Sequence, residues 1–242
     1  MADILTLPAH CRIEGWPLKF RTKLEDRAFS HGALSVGDNK AESRSIEVSA
    51  YIAETSDAAY WKTHNEMVAL FDGVAGHKFY LDGNHYLNAT CLERFNHEFY
   101  QGFPLRKARL GFTLRCADPL IYAQAVSSQV VEIATSPTTF AVINSGGVEV
   151  FPTITTVASA DNAEMSLENT TDDGRKFEYE DANFVTGATL TVNGEDGTVY
   201  LNTSNTLNFY SGAFLRLLPG SNSLVYTGGL ATITLSWRNR WL

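Results

Sequence analysis

Cysteine is scarce in this chain of 242 residues, and the three that occur, Cys11, Cys91 and Cys116, stand at unrelated spacings. An odd number without a C-x-x-C pair argues against a disulfide framework and against a cysteine-based zinc or redox centre. Folding in a reducing compartment fits. Long apolar runs are missing too. No stretch approaches the roughly 18 apolar residues that a membrane-spanning helix needs, and Met1-Ala2-Asp3 opens the chain without a basic and then an apolar segment. The expectation is a soluble protein with no secretory signal and no membrane insertion. On that expectation, the Asn-x-Ser/Thr sequons at Asn88, Asn169 and Asn202 are chance matches in a Thr- and Asn-rich chain.

The signatures of common chemistries are also lacking. There is no Gly-rich phosphate loop of the Walker or dinucleotide type, no Gly-x-Ser-x-Gly elbow and no His-Glu-x-x-His pair. All six histidines, His10, His31, His64, His77, His85 and His97, precede residue 98, but no two are spaced as a metal-ligand pair on a helix. Asp172, Asp173, Glu178, Glu180 and Asp181 form an acidic run that lacks EF-hand or RTX spacing, and it reads as a solvated loop. Nothing singles out a carboxylate pair for glycoside hydrolysis. The expectation is no enzyme, no metal and no cofactor.

What is present is a composition able to bury a sizeable core, with 44% hydrophobic and 12% aromatic residues. The net charge of −8 is unevenly spread. Residues 1–122 hold 14 Lys and Arg against 15 Asp and Glu, a net of −1; residues 123–242 hold 5 against 12, a net of −7. The acidic second half argues against direct nucleic-acid recognition, which needs an excess of cations.

Periodicity divides the chain at the same place. In the first part, Cys11 to Ile13 and Leu18 to Phe20 alternate apolar with charged residues around the turn signal Gly15-Trp16-Pro17, which reads as a pair of strands. Residues 30–43 are polar and read as a flexible loop. Ile46, Val48, Ala50 and Ile52 share one strand face. Thr55-Ser56-Asp57 offers an N-cap to a helix carrying Tyr60, Trp61, His64, Met67, Val68 and Phe71 and stopping at Gly73. Asp82-Gly83-Asn84 reads as a tight hairpin turn.

From Arg106 to Cys116 the alternation is cleanest. Ala108, Leu110, Phe112, Leu114 and Cys116 point one way, and Lys107, Arg109, Gly111, Thr113 and Arg115 the other. The cation row suits a solvated surface that discourages edge pairing. It also suits a face toward an acidic neighbouring protein, which makes Lys107, Arg109 and Arg115 candidate interface residues. Beyond Val126, about nine strand-like runs are broken by Gly, Asn, Asp, Ser and Pro turns without helical period. Asp161-Asn162, residues 170–174 and residues 193–197 look like loop tips. The chain thus reads as mainly β: an α+β domain over residues 1–122 with one main helix, then an antiparallel β-sandwich over residues 123–242.

That order of parts resembles the distal tail protein family of long-tailed phages. In the first domain the resemblance rests on the Arg44 to Val48 strand, the single helix, the Phe79-Tyr80-Leu81 hairpin and the run Phe112 to Tyr122 through Cys116-Ala117-Asp118-Pro119. In the second it rests on Asn144-Ser145-Gly146, Pro152, the Asn193-Gly194 turn and Leu218-Pro219-Gly220-Ser221-Asn222 before a final strand. The resemblance implies a galectin-like, jelly-roll type sandwich and a homohexameric ring of first domains at the virion tail tip. It implies assembly in the bacterial host cytoplasm, a place in the baseplate and a part in host attachment. The partners it implies are the tail tube protein, the tail hub or fibre protein and the tape measure protein. It implies no catalytic residues. The competing reading is a carbohydrate-binding module that contacts host glycans weakly through sandwich aromatics, with Tyr179, Phe184, Tyr200, Phe209, Tyr210, Tyr226 and Trp237 as candidates. A glycoside hydrolase is the least supported.

Overall fold

Apolar alternation lays down most of the architecture as strands. The computed structural model describes residues 4–6, 11–15, 19–26, 33–71, 77–99 and 107–242, which fall into two compact units, Met1–Ile121 and Tyr122–Trp241.

In the first unit six strands follow one another in the order Ile4–Thr6, His77–Tyr80, His85–Phe99, Lys107–Cys116, Arg44–Ala53 and Cys11–Gly15. All neighbours are antiparallel except Ile4–Thr6, which runs parallel to His77–Tyr80. Register places Val48 opposite Phe112 and Ala50 opposite Leu110, so the two alternating patterns meet on one buried face. The helix Asp57–Phe71 adds Tyr60 and Met67 to that core. Ser56 starts the helix, its Oγ accepting from the Ala59 N–H at 3.2 Å, and Asp57 sits where the helix dipole favours an anion. The expected stop at Gly73 lies outside the described residues.

At the expected hairpin, Asp82 Oδ1 accepts the N–H groups of Asn84 and His85 at 2.6 and 2.7 Å, closing the turn between His77–Tyr80 and His85–Phe99. Two expectations are corrected. Residues 33–41, read as part of a polar loop, form the strand Ala33–Ala41, because Phe20–Asp26 supplies its backbone partners. Pairing with the preceding strand overrides local polarity there. Cys11–Gly15 pairs with Arg44–Ala53 and not with the strand that follows it; the turn expected at Gly15-Trp16-Pro17 lies partly outside the described residues.

The second unit is a two-sheet sandwich. Its six-stranded sheet runs Ser127–Ile133, Ala231–Trp237, Thr153–Ala158, Thr189–Asn193, Thr198–Leu201 and Ser204–Asn205. Its five-stranded sheet runs Thr138–Asn144, Gly220–Thr227, Glu164–Asn169, Arg175–Glu180 and Tyr210–Gly212. All pairings are antiparallel, and the inward residues of both sheets make one core that includes Ile154, Leu167, Phe177, Leu190, Leu224 and Ile233. Twelve strands stand beyond Val126 where about nine runs were read, because Ser204–Asn205, Tyr210–Gly212 and Arg240–Trp241 are too short to show a period.

Candidate interaction surfaces

On the first unit the alternation of Lys107–Cys116 is realised. Ala108, Leu110, Phe112, Leu114 and Cys116 are buried, while Lys107 and Arg115 are exposed and Arg109 is half-buried. The strand is not an edge, however. It is hydrogen-bonded to Arg44–Ala53 on one side and His85–Phe99 on the other, so the cation row does not serve to block edge pairing. Register interleaves the cations with carboxylate positions: Glu98 stands opposite Arg109, and Glu47 and Glu93 flank Thr113. Arg115 Nη2 donates to Ser43 Oγ at 3.2 Å. Lys107, Arg109 and Arg115 thus share the strand face opposite the buried row, on a strand inside the sheet. Behind this face Cys116 is fully buried, and burial pushes its thiol up to about 11.

On the sandwich, the turn residues singled out in the sequence converge at one end as a buried amide network. Asn144 Nδ2 donates to the carbonyls of Val148 and Leu217 at 3.0 and 3.1 Å, while its Oδ1 accepts the Gly146 N–H at 2.9 Å. Asn222 Oδ1 accepts from the Leu218 N–H at 2.8 Å and from Asn169 Nδ2 at 2.9 Å, and its own Nδ2 returns to the Leu218 carbonyl. A Cβ at Gly146 would lie 2.6 Å from the backbone oxygen of Arg240, so only glycine fits. Side-chain amides take the place of a strand ladder here, satisfying turn backbone that would otherwise be buried without partners.

A charged layer covers the network. Arg216 donates from Nε and Nη2 to the two oxygens of Asp172 and from Nη1 to Glu149 at 3.2 Å. The Arg216 hydrogen bond holds the Asp172 carboxyl below its usual range, although burial opposes it. Arg240, 9% exposed, donates to the Glu149 carbonyl and to Glu195. The acidic run therefore does not act as one solvated loop. Asp172 and Asp181 are buried, the latter accepting from Tyr179 Oη at 3.0 Å, while Glu178 and Glu180 point outward from the strand Arg175–Glu180. Among the described residues, no three His, Cys, Asp or Glu side chains are grouped to hold a metal.

Of the seven candidate aromatics, Tyr179, Phe184, Tyr226 and Trp237 are core residues and Tyr210 stacks between Phe177 and Phe214; Tyr200 and Phe209 are exposed. Burial pushes the Tyr179 hydroxyl up to about 12. A groove of about 400 Å³ on the outer side of the five-stranded sheet is lined by Glu164, Ser166, Glu178, Glu180 and Thr227 among others, with no exposed ring in its wall. Two internal features lay beyond sequence reasoning, the Arg216–Asp172 clasp and the buried Asn162, which donates to Tyr226 Oη at 2.8 Å from an expected loop tip. Neither has a local sequence signal.

Residues 145–241 match the family described as siphovirus-type tail component, C-terminal domain. The whole chain has the fold of a solved structure, SPP1 Dit (gp 19.1), described as a paradigm of the hub adsorption apparatus in phages infecting Gram-positive bacteria. The two agree with a TM-score of 0.70 at 14% sequence identity, over 98% of this chain and 93% of that one. No curated protein matches the sequence. The family match links residues 145–241 to a siphovirus-type tail component, and the structural match shows a shared mainly-β fold.

Proposed function

We propose that this protein is the tail-tip adaptor of a phage or of a phage-tail-like particle, acting by assembly and without turnover. Its first units close into a homohexameric ring that joins the tail tube to the hub or fibre, with the tape measure protein as a further partner. The family match over residues 145–241 carries this reading, and it spans Gly146, Asn169 and Asn222 of the buried end of the sandwich. A rotational ring repeats one heterologous interface, which demands two different complementary patches on a single domain. Lys107, Arg109 and Arg115, with the carboxylate positions beside them, form one such patch. An excess of −7 on residues 123–242 keeps that half solvated. Gold-labelled antibody against the protein, applied to particles from a producing culture, tests the reading. Label confined to the tail tip supports it, and label on the head, or none on assembled tails, refutes it.

A further inference from the structure

Charge is segregated on the sandwich. The outer face of the six-stranded sheet is made by every second residue of its strands, and one row crosses all six in register: Val130, Thr234, Thr155, Thr191, Tyr200 and Asn205. The rows on either side add Ser, Thr, Asn and Val, and a single charged residue, Glu132. The opposite sheet presents Glu164, Glu168, Lys176, Glu178 and Glu180 on its own outer face. One side of the unit is thus acidic and the other nearly uncharged, although residues 123–242 carry 17 charged side chains, 12 acidic and 5 basic. The uncharged side also exposes apolar surface, with Val130 61%, Val157 39% and Tyr200 37% accessible.

Charge depletion with exposed apolar and aromatic groups is the composition of an interface core. An ionic partner would lose its hydration against hydroxyls that return no countercharge. The face instead fits another uncharged pleated face, because β-branched rows on sheets packed about 10 Å apart interdigitate. The chain itself supplies such a face. We propose that the Thr-rich outer face of the six-stranded sheet is a two-fold self-association surface, on which a second copy of this chain seats the same face.

Several quantities agree with that occupant. An isologous contact places Thr155 and Thr191, at the middle of the row, nearest the two-fold axis. The carboxylates of the opposite sheet then lie roughly 15 Å or more from the contact plane, given ~10 Å between sheets, about twice the Debye length of ~8 Å. Six strands ~4.8 Å apart and three rows ~6.8 Å apart bury roughly 500 Å² on each copy. That total of about 1,000 Å² is at the low end for a specific contact, so the association is weak and concentration-dependent.

The inference goes beyond the adaptor reading and does not depend on it. Sedimentation velocity of the full chain, from about 1 to about 200 µM to suit a contact of this size, is expected to show the mass doubling. The doubling takes monomer to dimer, or one ring to a pair of rings if the ring forms. Failure of the ring reading appears as dimers in place of paired rings; failure of this proposal appears as no doubling of either. The double variant Thr155→Glu/Thr191→Glu places like charges about the axis and should weaken the doubling at least ~100-fold, while Glu178→Lys on the other sheet should leave it unchanged. If the double variant does not fold, Thr155→Cys decides instead, since it should form an intermolecular disulfide at residue 155 under mild oxidant. Absence of doubling overturns the proposal, as does doubling that survives the double variant, or absence of the residue-155 crosslink. So does Tyr200-dependent retention of an undoubled wild-type chain on an immobilised neutral polysaccharide.

Discussion

Arg216 holds Asp172 through two parallel hydrogen bonds, Nε to Oδ2 at 2.7 Å and Nη2 to Oδ1 at 2.8 Å, with the carboxylate buried and the guanidinium partly exposed. Forty-four residues separate the two in sequence, so the pair ties the turn after Glu164–Asn169 to the segment before Gly220–Thr227. A bidentate pair of this kind fixes geometry as well as energy.

Removing one partner should therefore cost more than a surface ion pair does. Asp172→Ala leaves Arg216 with its weaker contact to Glu149 and should destabilise the sandwich by on the order of 2–3 kcal/mol, less than the ~3–5 kcal/mol of a fully buried broken pair because the guanidinium is partly wet. Chemical denaturation of the full chain measures it. A loss below about 0.5 kcal/mol would place the pair among ordinary surface contacts.

The same pair sets a pH dependence. The Asp172 carboxyl is held below its unfolded value of about 3.9. A depressed carboxyl adds stability above the unfolded pKa, and that stability is lost as pH falls through the folded one. The difference in melting temperature between the wild type and Asp172→Asn should be constant near neutrality and shrink below about pH 4. A difference that grows in acid would reverse the sign and contradict the pairing.

Gly146→Ala should destabilise by about 1–3 kcal/mol, because the new methyl meets backbone atoms of Arg240 at 2.6 and 2.8 Å. Gly83→Ala, with nothing within 4 Å, should stay within about 0.5 kcal/mol of the wild type. Comparable thermal shifts in the two variants would show that the end of the sandwich is looser than described.

Cys116, fully buried with its thiol pushed up to about 11, should resist alkylation in the native protein at pH 8 and react promptly in denaturant. Peptide mapping of the labelled site gives the answer, and rapid native labelling of Cys116 would contradict the packing of the first core.

How far the sequence carried this reading depends on the range over which each feature is encoded. The alternation of Ile46 to Ile52 and of Ala108 to Cys116, the helix from Asp57 and the Asp82-Gly83-Asn84 turn are local patterns, and each appears as read. The strand Ala33–Ala41 was missed because its stability comes from a partner strand and not from its own polar composition. The turn residues Asn144, Gly146 and Asn222 were legible as turns, but their joint role was not. Asn222 reaches Asn169 across 53 positions, and Asn144 reaches Leu217 across 73. The cation row was legible as a row; its place between two strands, beside carboxylate positions, follows only from sheet order.

Reversing that row tests its role. Lys107→Glu with Arg115→Glu should leave melting temperature within a few degrees, since both side chains are exposed, yet prevent ring closure. Intact rings in this variant would remove the row from the interface.

The most direct measurement is negative-stain electron microscopy of the purified full chain, paired with its native mass. The account predicts six-fold rings with a central channel, of about six times 26.7 kDa or a pair of such rings. A monomer at every concentration, or closed assemblies of another symmetry, would contradict it.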